Sequence, residues 1–416
     1  MNKNPYSPES LMMSYGYKAA GHQGAVKCPL FQTSTFAFNS ASEGKAFFEL
    51  AYGLRNLEEG EEMGMIYSRV NNPNLEIAEK RLKLWDKGED AVFFASGMAA
   101  ISTMMFTFLR PGDILLFGSP VYGGTDYFIH HVLPQFGIRT LMFTSDDTEE
   151  NIQALLNAAW PGETPSFIYV ETPGNPTNNL IDIEMCARLA KVFSTKDKKC
   201  LLAVDNTFLG PVFQHPLAHG ADLVVYSATK FISGHSDLIA GACVGSIKVI
   251  TVIKAMRTFM GSMLDPHSSW LVMRSLETLK IRMERQAESA LKVAEFLRSQ
   301  PKVESVHFLG FLEEESEQKK VFNKQCLGNG SMISFNISGG EEEAFRFLDN
   351  LSLFKLAVSL GSTESLAEHP ATMTHVDVSA EDRAKLGILP SMVRLSIGLE
   401  EPDDLIGVIK RAFESV

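Results

Sequence analysis

The feature that most constrains the fold is a series of seven short apolar runs between residues 90 and 261, separated by segments with helical periodicity. The runs are continuous rather than alternating, a pattern typical of strands that are covered on both faces. They occupy residues 91–96, 113–118, 140–145, 167–172, 201–206, 222–229 and 240–245. Because strands alternate with helices, the sequence predicts an α/β fold with a large, mostly parallel, seven-stranded sheet.

The chain on either side of these runs predicts two further parts. Residues 1–68 have weak periodicity and include an acidic, glycine-containing stretch at 56–64, which indicates an N-terminal arm rather than a self-contained core. We expect the sheet domain to occupy residues 69–265. Residues 266–416 begin with one long helical pattern at 269–299, and the patterns after it predict a smaller C-terminal α+β domain. Those patterns indicate strands at 331–337, 356–360 and 393–397 and helices at 341–350 and 402–413.

Charge and hydropathy argue against nucleic-acid and membrane partners. With 38 Lys+Arg and 50 Asp+Glu in 416 residues, the net charge is −12, and an acidic chain repels phosphate backbones. Residues 91–109 carry no charge and are long enough to span a bilayer. Polar residues from Ser96 to Thr107 interrupt this stretch, so a strand, a turn and a buried helix explain it better.

Cysteine and histidine usage predicts a cytoplasmic protein without a metal site. The five cysteines form no CxxC pair, which is typical of a reducing compartment. The first residues lack the basic segment and apolar core of a secretory signal. His130 and His131 are adjacent and would point about 100° apart on a helix, which disfavours a shared metal ion.

The candidates for chemistry are residues that follow the apolar runs, because ligands of open α/β sheets bind beyond the carboxyl ends of the strands. Gly97 follows the first run, where free N–H groups at a helix start would suit a phosphate, although a plain strand-to-helix turn is equally consistent. Asp205 follows the fifth run, where a carboxylate is costly unless it is paired or exposed in a cleft. A helix cap or a turn is the alternative explanation for Asp205.

Lys230 is the sharpest of these features, since it follows the sixth run and is preceded by Ser227 and Thr229. A partly desolvated lysine amine can lose its proton and become a nucleophile toward carbonyls, whereas a solvated loop lysine is the common alternative. The two hydroxyls are suited to bind phosphate oxygens. Tyr122 follows the second run and is placed to stack on a ring or to act as an acid or base, with turn chemistry beside two glycines as the alternative.

Taken together, these residues suit pyridoxal 5'-phosphate (PLP). Its carbonyl carbon takes a lysine as an imine, its pyridine nitrogen needs a carboxylate, and its phosphate needs fixed donors. An amine, a carboxylate, two hydroxyls and a helix N-terminus all fall on one predicted edge of the sheet. The sequence therefore predicts a PLP site at that edge.

The chain resembles the cysteine and methionine metabolism branch of the fold-type I PLP-dependent enzymes from residue 10 to residue 413. That branch contains methionine γ-lyase, cystathionine γ-lyase, cystathionine γ-synthase and O-acetylhomoserine sulfhydrylase. The resemblance implies an aspartate aminotransferase-like fold and a role in trans-sulfuration. It rests on motifs that occur in order, at 67–74 (YSRVNNPN), 95–101 (ASGMAAI), 120–125 (PVYGGT), 171–177 (ETPGNPT), 203–208 (AVDNTF), 221–237, 358–375 and 393–400.

The resemblance also implies a role for each matching residue around the cofactor. Lys230 would form the imine and shuttle protons between the substrate's carbons, and Asp205 would pair with the pyridine nitrogen. Tyr122 would stack on the ring and protonate the leaving group. The phosphate would be bound by Gly97, Met98, Ser227 and Thr229.

Further matches concern the substrate and a second subunit. Arg394 would bind the α-carboxylate, since a planar guanidinium suits a carboxylate, and Ser359 would lie nearby. Asn175 would lie near both the ring oxygen of the cofactor and the substrate carboxylate. Tyr67 and Arg69 of the YSR motif would reach the phosphate of a neighbouring subunit. The resemblance therefore implies a homo-oligomer, at least a dimer and by family habit a tetramer.

The residues expected near the substrate leave the reaction open. Val358 stands where cystathionine-cleaving relatives often carry a glutamate, which favours an apolar thioether substrate. Gly124 stands where well-known methionine γ-lyases have a cysteine, and Asp126 stands where cystathionine enzymes place a basic or polar group. We expect γ-elimination from L-methionine or homocysteine, with cystathionine cleavage and γ-replacement on an activated homoserine as alternatives. An aminotransferase and a non-catalytic binding module are the other classes, and an intact Lys230 disfavours the second.

Overall fold

The computed structural model describes residues 5–59, 61 and 63–416. Its larger sheet has the spatial order β1-β7-β6-β5-β4-β2-β3. Strands β2 to β6 pair in parallel, and β7 runs antiparallel to both of its neighbours. The predicted mostly parallel, seven-stranded sheet is therefore confirmed. Its strands are β1 (Asp90–Phe94), β2 (Ile114–Ser119), β3 (Arg139–Thr144), β4 (Phe167–Glu171), β5 (Leu201–Asp205), β6 (Leu223–Tyr226) and β7 (Gly241–Gly245).

Helices cover both faces of this sheet. Residues alternate along β4, so that Phe167 and Tyr169 join the core beneath the helices at 97–108 and 247–260, while Ile168 and Val170 join the core beneath the helices at 149–159 and 183–193. This two-sided burial is why the runs are apolar throughout. The α-helices of the N-terminal arm and the sheet region are α1 (Pro8–Leu11), α2 (Ala41–Ala51), α3 (Pro73–Trp85), α4 (Gly97–Phe108), α5 (Gly123–Tyr127), α6 (Glu149–Ala159), α7 (Ile183–Phe193), α8 (Gly210–Phe213) and α9 (Ile247–Met260).

A second sheet, of five strands in the order β10-β11-β12-β9-β8, lies in the C-terminal part. Its strands are β8 (Val303–His307), β9 (Met332–Ile337), β10 (Lys355–Leu356), β11 (Leu366–Glu368) and β12 (Met392–Ser396). The helices of this part are α10 (Pro266–Leu276), α11 (Leu279–Arg298), α12 (Glu317–Gln325), α13 (Glu341–Asp349), α14 (Ala380–Lys385) and α15 (Pro402–Ala412). The predicted α+β character of this region is present, and the boundaries 1–68, 69–265 and 266–416 stay predictions.

The C-terminal part differs from the sequence expectation in its strands and in its first long helix. The strand expected at 356–360 is only the two residues of β10, and β8 and β11 were not predicted. The helix expected at 269–299 is interrupted at Thr278. The carbonyl of Ser275 accepts hydrogen bonds from the N–H of Thr278 (3.2 Å) and from the guanidinium of Arg282 (3.1 Å). These donors take the place of the N–H group that the next helical turn would supply.

The uncharged stretch at 91–109 folds as β1 followed by α4, as the sequence analysis favoured. Throughout the described residues, no helix is both long and apolar enough to cross a membrane. In the same part of the chain, no group of three or more His, Cys, Asp or Glu is placed to hold a metal ion. Two positions of the acidic stretch at 56–64, residues 60 and 62, lie outside the described residues.

A buried ion pair covers the free edge of β1, which is an edge strand of the larger sheet. Glu79 accepts a hydrogen bond from the backbone N–H of Phe93 (3.0 Å), and it lies 2.6 Å from the guanidinium of Arg257. Arg257 also donates to the carbonyl of Phe93 (2.7 Å). Since both charged side chains are almost fully buried, each compensates the other for the water it has lost.

Replacing Glu79 with alanine is expected to lower the free energy of unfolding by about 3–5 kcal/mol, because the Arg257 guanidinium is left buried without its carboxylate. Urea denaturation followed by fluorescence measures this loss. Glu381→Ala is the matched control, since it breaks an exposed ion pair with Lys385 and is expected to change stability little. Equal losses in the two variants would contradict the prediction.

Candidate active site

A cavity of about 270 Å³ lies beyond the carboxyl ends of β1, β2, β4, β5 and β6. The topology explains this convergence, because these five strands run in the same direction and deliver their following loops to one edge of the sheet. The sequence-predicted residues that line the cavity are Gly97, Met98, Tyr122, Asn175, Asp205, Ser227, Thr229 and Lys230.

One end of the cavity is formed by the start of α4. Ser96 caps this helix, since its hydroxyl accepts from the N–H of Ala99 (3.0 Å). The first N–H groups of a helix have no partner within the helix, so those of Gly97 and Met98 remain for an anion. A Cβ on Gly97 would lie 3.0 Å from the hydroxyl of Ser227, so the glycine allows α4 to begin directly against that hydroxyl.

Thr229 lines the same cavity, but its hydroxyl is already engaged. It donates to the carbonyl of Ala240 (3.1 Å) and accepts from the N–H of the same residue (2.9 Å). These two hydrogen bonds attach the loop that contains Lys230 to Ala240, the residue before β7. The expected contact between Thr229 and a phosphate stays a prediction.

Asp205 lies at the end of β5 and is 6% exposed. One carboxylate oxygen accepts from the N–H (3.0 Å) and the hydroxyl (2.6 Å) of Thr207, and the other accepts from the hydroxyl of Tyr169 (3.2 Å). Burial raises the pKa of Asp205, and the hydrogen bonds from Thr207 oppose that shift. The second oxygen keeps a lone pair that a protonated ring nitrogen can use.

Glu171 is a second buried carboxylate beside Asp205, and the sequence analysis did not single it out. The two residues are register partners in β4 and β5. Burial and the Asp205 carboxylate raise the pKa of Glu171 to about 8. Its two oxygens accept the backbone N–H groups of Tyr122 (2.9 Å) and Asn175 (3.2 Å). Glu171 therefore ties together two loops that line the cavity.

Lys230 presents its amine to the cavity, where its Nζ donates to the hydroxyl of Ser359 (2.8 Å). Burial and the nearby Arg394 lower the pKa of Lys230 to about 8, while Glu368 acts in the opposite direction. Ser359 has a φ of 138°, a conformation rare for an L-residue and typical of a constrained functional position. The amine is thus within about one pH unit of being half neutral at physiological pH.

Arg394 stands on β12 and joins the two sheets at this site. Its guanidinium donates to the side-chain oxygen of Asn175 (2.9 Å) and to the carbonyl of Ser359 (2.8 Å). Its Nε is buried and has no partner among the described residues. An unpartnered N–H on a planar guanidinium suits a carboxylate ligand. The structure thus brings Arg394, Asn175, Ser359 and Lys230 together.

The predicted residues Ser359 and Arg394 are linked to the cavity through their hydrogen bonds with Lys230 and Asn175, whereas Tyr67 and Arg69 lie apart from it. They line a separate groove with Phe48, Tyr52 and Phe259. Arg69 donates to the carbonyl at position 258 (2.7 Å), and its guanidinium lies 5.9 Å from the ring centre of Tyr67.

The residues around the cavity fit PLP on chemical grounds. A lysine with a lowered pKa can join an aldehyde, and a buried aspartate with a spare lone pair can hold a ring N–H. The free N–H groups at the start of α4 and the hydroxyl of Ser227 can hold a phosphate. Tyr122, which is 45% exposed at the cavity wall, offers an aromatic face.

Comparisons with known proteins agree with this assignment. The family model described as "Cys/Met metabolism PLP-dependent enzyme" matches residues 9–414. The chain is 40% identical to L-methionine gamma-lyase of Pseudomonas putida over 403 residues, which is 96% of each chain. It is 39% identical to cystathionine gamma-lyase of Rattus norvegicus over 357 residues, which is 86% of each. The solved structure of cystathionine gamma synthase from Xanthomonas oryzae pv. oryzae with cystathionine superposes with a TM-score of 0.87 at 30% identity and 99% coverage of both chains.

The fold and the family match together define a PLP-dependent enzyme of fold type I. Within that class, the chain belongs to the Cys/Met metabolism PLP-dependent enzyme family. The resemblance, the fold class and the cofactor stated from the sequence are confirmed.

Proposed function

We propose that this enzyme is a carbon–sulfur lyase that removes the γ-substituent of L-methionine or homocysteine. For methionine the balanced reaction consumes one water and gives 2-oxobutanoate, ammonia and methanethiol. The observation that carries the proposal is the partly buried Lys230 amine, which lines the cavity, donates to the hydroxyl of Ser359 (2.8 Å) and has its pKa lowered to about 8 by burial and the nearby Arg394. Relatives named L-methionine gamma-lyase, at 36–40% identity over at least 94% of the chain, support it.

PLP, when bound, supplies an electron sink for the carbon chemistry. The α-carboxylate of the substrate would bind the fork of Arg394, which Asn175 and the carbonyl of Ser359 hold in place. That orientation would bring the α-hydrogen toward Lys230. Because the pKa of Lys230 is lowered to about 8, its amine can accept this proton and deliver it again at neutral pH.

Tyr122 is the proposed acid for the departing sulfur. Its backbone N–H is fixed by Glu171 (2.9 Å), and its ring packs against Gly124, where a Cβ would lie 2.7 Å from the ring. A glycine at 124 therefore gives the phenol room to lie along the cavity wall. A phenol that holds a proton near the leaving group avoids release of a charged thiolate.

The apolar Val358 supports a thioether over a substrate with a second carboxylate. It precedes Ser359 and is 56% exposed, so it presents no charge to a distal carboxylate. Cystathionine γ-lyase activity and γ-replacement are the second candidates. The cystathionine gamma-lyase of Rattus norvegicus, at 39% identity, and the cystathionine gamma synthase structure favour them.

The deciding experiment supplies purified holoenzyme with L-methionine, with cystathionine, or with O-acetylhomoserine and a thiol. Keto acid and ammonia formed from methionine without an added acceptor support the proposed lyase. Thioether formed only when thiol is added would instead assign a γ-replacement enzyme. A requirement for a keto acid acceptor would assign an aminotransferase and contradict the proposal.

We further propose that the enzyme works in the cytoplasm as a homo-oligomer of at least two subunits, with a tetramer built from two dimers. Tyr67 and Arg69 lie in a groove apart from the cavity of their own chain, as expected if they serve a neighbouring subunit. Around this groove Tyr52 and Phe259 are 68% and 76% exposed, which is unusual for large apolar side chains unless a partner covers them.

Subunit mixing tests this arrangement. Arg69→Ala and Lys230→Ala are each expected to be inactive, whereas a mixture refolded together is expected to recover roughly a quarter of wild-type activity, because half of random dimers are hybrids with one intact site of two. Mixing the variants without dissociating the subunits is the control and is expected to recover none. Absence of recovery after refolding, with hybrids verified by mass, would contradict shared sites.

A further inference from the structure

Arg394 has a buried carboxylate as its partner before any substrate binds. Glu368, which is 0% exposed, lies 2.8 Å from the Arg394 guanidinium. The two residues face each other across β11 and β12 as register partners. The hydroxyl of Thr374 donates to the same Glu368 oxygen (2.9 Å), while the other oxygen of Glu368 has no partner among the described residues.

This pair decides how much positive charge the substrate end of the cavity carries. An Arg394 without a counter-charge would repel a proton from Lys230, and Glu368 opposes that effect. The other ionisable groups that face Arg394 or Lys230 are weaker counter-charges. Burial raises the pKa of Glu171 to about 8 and lowers that of His375 to about 4, which favours the neutral form of both. Tyr122 also faces Arg394.

We propose that Glu368 is a positioning residue that holds Arg394 in its binding orientation and offsets its positive charge at Lys230. This inference rests on the proposed function for the role of Arg394 as the carboxylate ligand. It assigns Glu368 two separable effects. As an acceptor it keeps the guanidinium in place, and as a negative charge it competes with the substrate carboxylate while favouring a proton at the Lys230 nitrogen.

Glu368→Gln separates the two effects, because glutamine keeps an acceptor for Arg394 and Thr374 but carries no charge. In the holoenzyme variant, the pH midpoint of the visible absorption change is expected to fall by roughly 0.5–1 unit, since the nitrogen at position 230 loses a favourable negative charge. The concentration of L-methionine that half-perturbs the visible spectrum is expected to fall about 3- to 10-fold, because the positive charge of Arg394 is no longer offset by a competing carboxylate. L-Methioninamide, which lacks that carboxylate, is expected to bind the variant and the wild type alike.

Two further variants keep the test decisive. Glu368→Asp retains the charge and is expected to return the pH midpoint to the wild-type value. Glu368→Ala removes the acceptor as well and is expected to weaken L-methionine binding. Glu79→Gln is the control for loss of a buried carboxylate, and it is expected to lower thermal stability without moving the midpoint.

The proposal is overturned if Glu368→Gln leaves the midpoint and the methionine affinity unchanged, or if it shifts the amide and the acid equally. The pH midpoint is read without substrate and is therefore independent of turnover. If wild-type enzyme binds methionine but forms no keto acid, the proposed lyase function fails while the proposal for Glu368 is still tested.

Discussion

Replacing Lys230 with alanine is expected to reduce turnover of methionine by at least about 10²–10⁴-fold, the range associated with loss of a positioned general acid or base alone. The amine of Lys230 has a pKa lowered to about 8, and it is the lysine nitrogen that lines the cavity. Alanine leaves no group at that position that can accept the substrate's α-proton or attach the cofactor. Keto acid release from methionine, followed over hours, measures the loss.

A spectroscopic and mass readout accompanies the kinetics. Hydride reduction of wild-type holoenzyme is expected to add the cofactor's mass, less one water and plus two hydrogens, to the peptide that contains residue 230, and no such mass is expected on the variant. Lys248→Ala, which removes an exposed lysine of α9, is the control. Retention of wild-type activity by Lys230→Ala would contradict the assignment of this site.

The site residues at the carboxyl ends of the larger sheet's strands could be predicted, because strands buried on both faces appear in the sequence as continuous apolar runs. The strands β4, β5 and β6 are buried along their whole length and largely apolar up to their last residue, so the charged residues at or after their ends stand out as candidates to bind a ligand. Asp205 and Lys230 were found in this way. Glu171 is also a charged residue at the end of a buried strand. It lies in the motif at 171–177, from which the resemblance indicated only Asn175 as a site residue.

The C-terminal contribution to the site was harder to predict for a physical reason. Glu368 and Arg394 meet through antiparallel pairing of β11 and β12, and β11 is only three residues long. A strand this short has no measurable periodicity, so neither its existence nor its register follows from the sequence. The resemblance supplied Arg394, whereas only the structure supplies its partner.

The second large effect is expected at Asp205, because its environment is built to keep a carboxylate. Thr207 donates twice to one oxygen and Tyr169 donates once to the other, so three protein donors converge on a residue that burial would otherwise neutralise. Hydrogen bonds to the charged form favour that form. Three donors around one buried acid indicate that the negative charge of Asp205, and not only its polarity, matters at this position.

Asp205→Asn is therefore expected to lower kcat for methionine by about 10²–10³-fold, as is typical when a preorganised charge partner is removed from a reacting system. The asparagine amide cannot hold a proton on the ring nitrogen, and its NH₂ group would face the donors of Thr207 or Tyr169. Tyr169→Phe removes one donor but keeps the charge, so its loss of kcat is expected to be smaller. Asp197→Asn, on the exposed surface, serves as the control. The assignment fails if Asp205→Asn loses no more activity than Tyr169→Phe, because the site would then need a hydrogen-bond acceptor at this position rather than a negative charge.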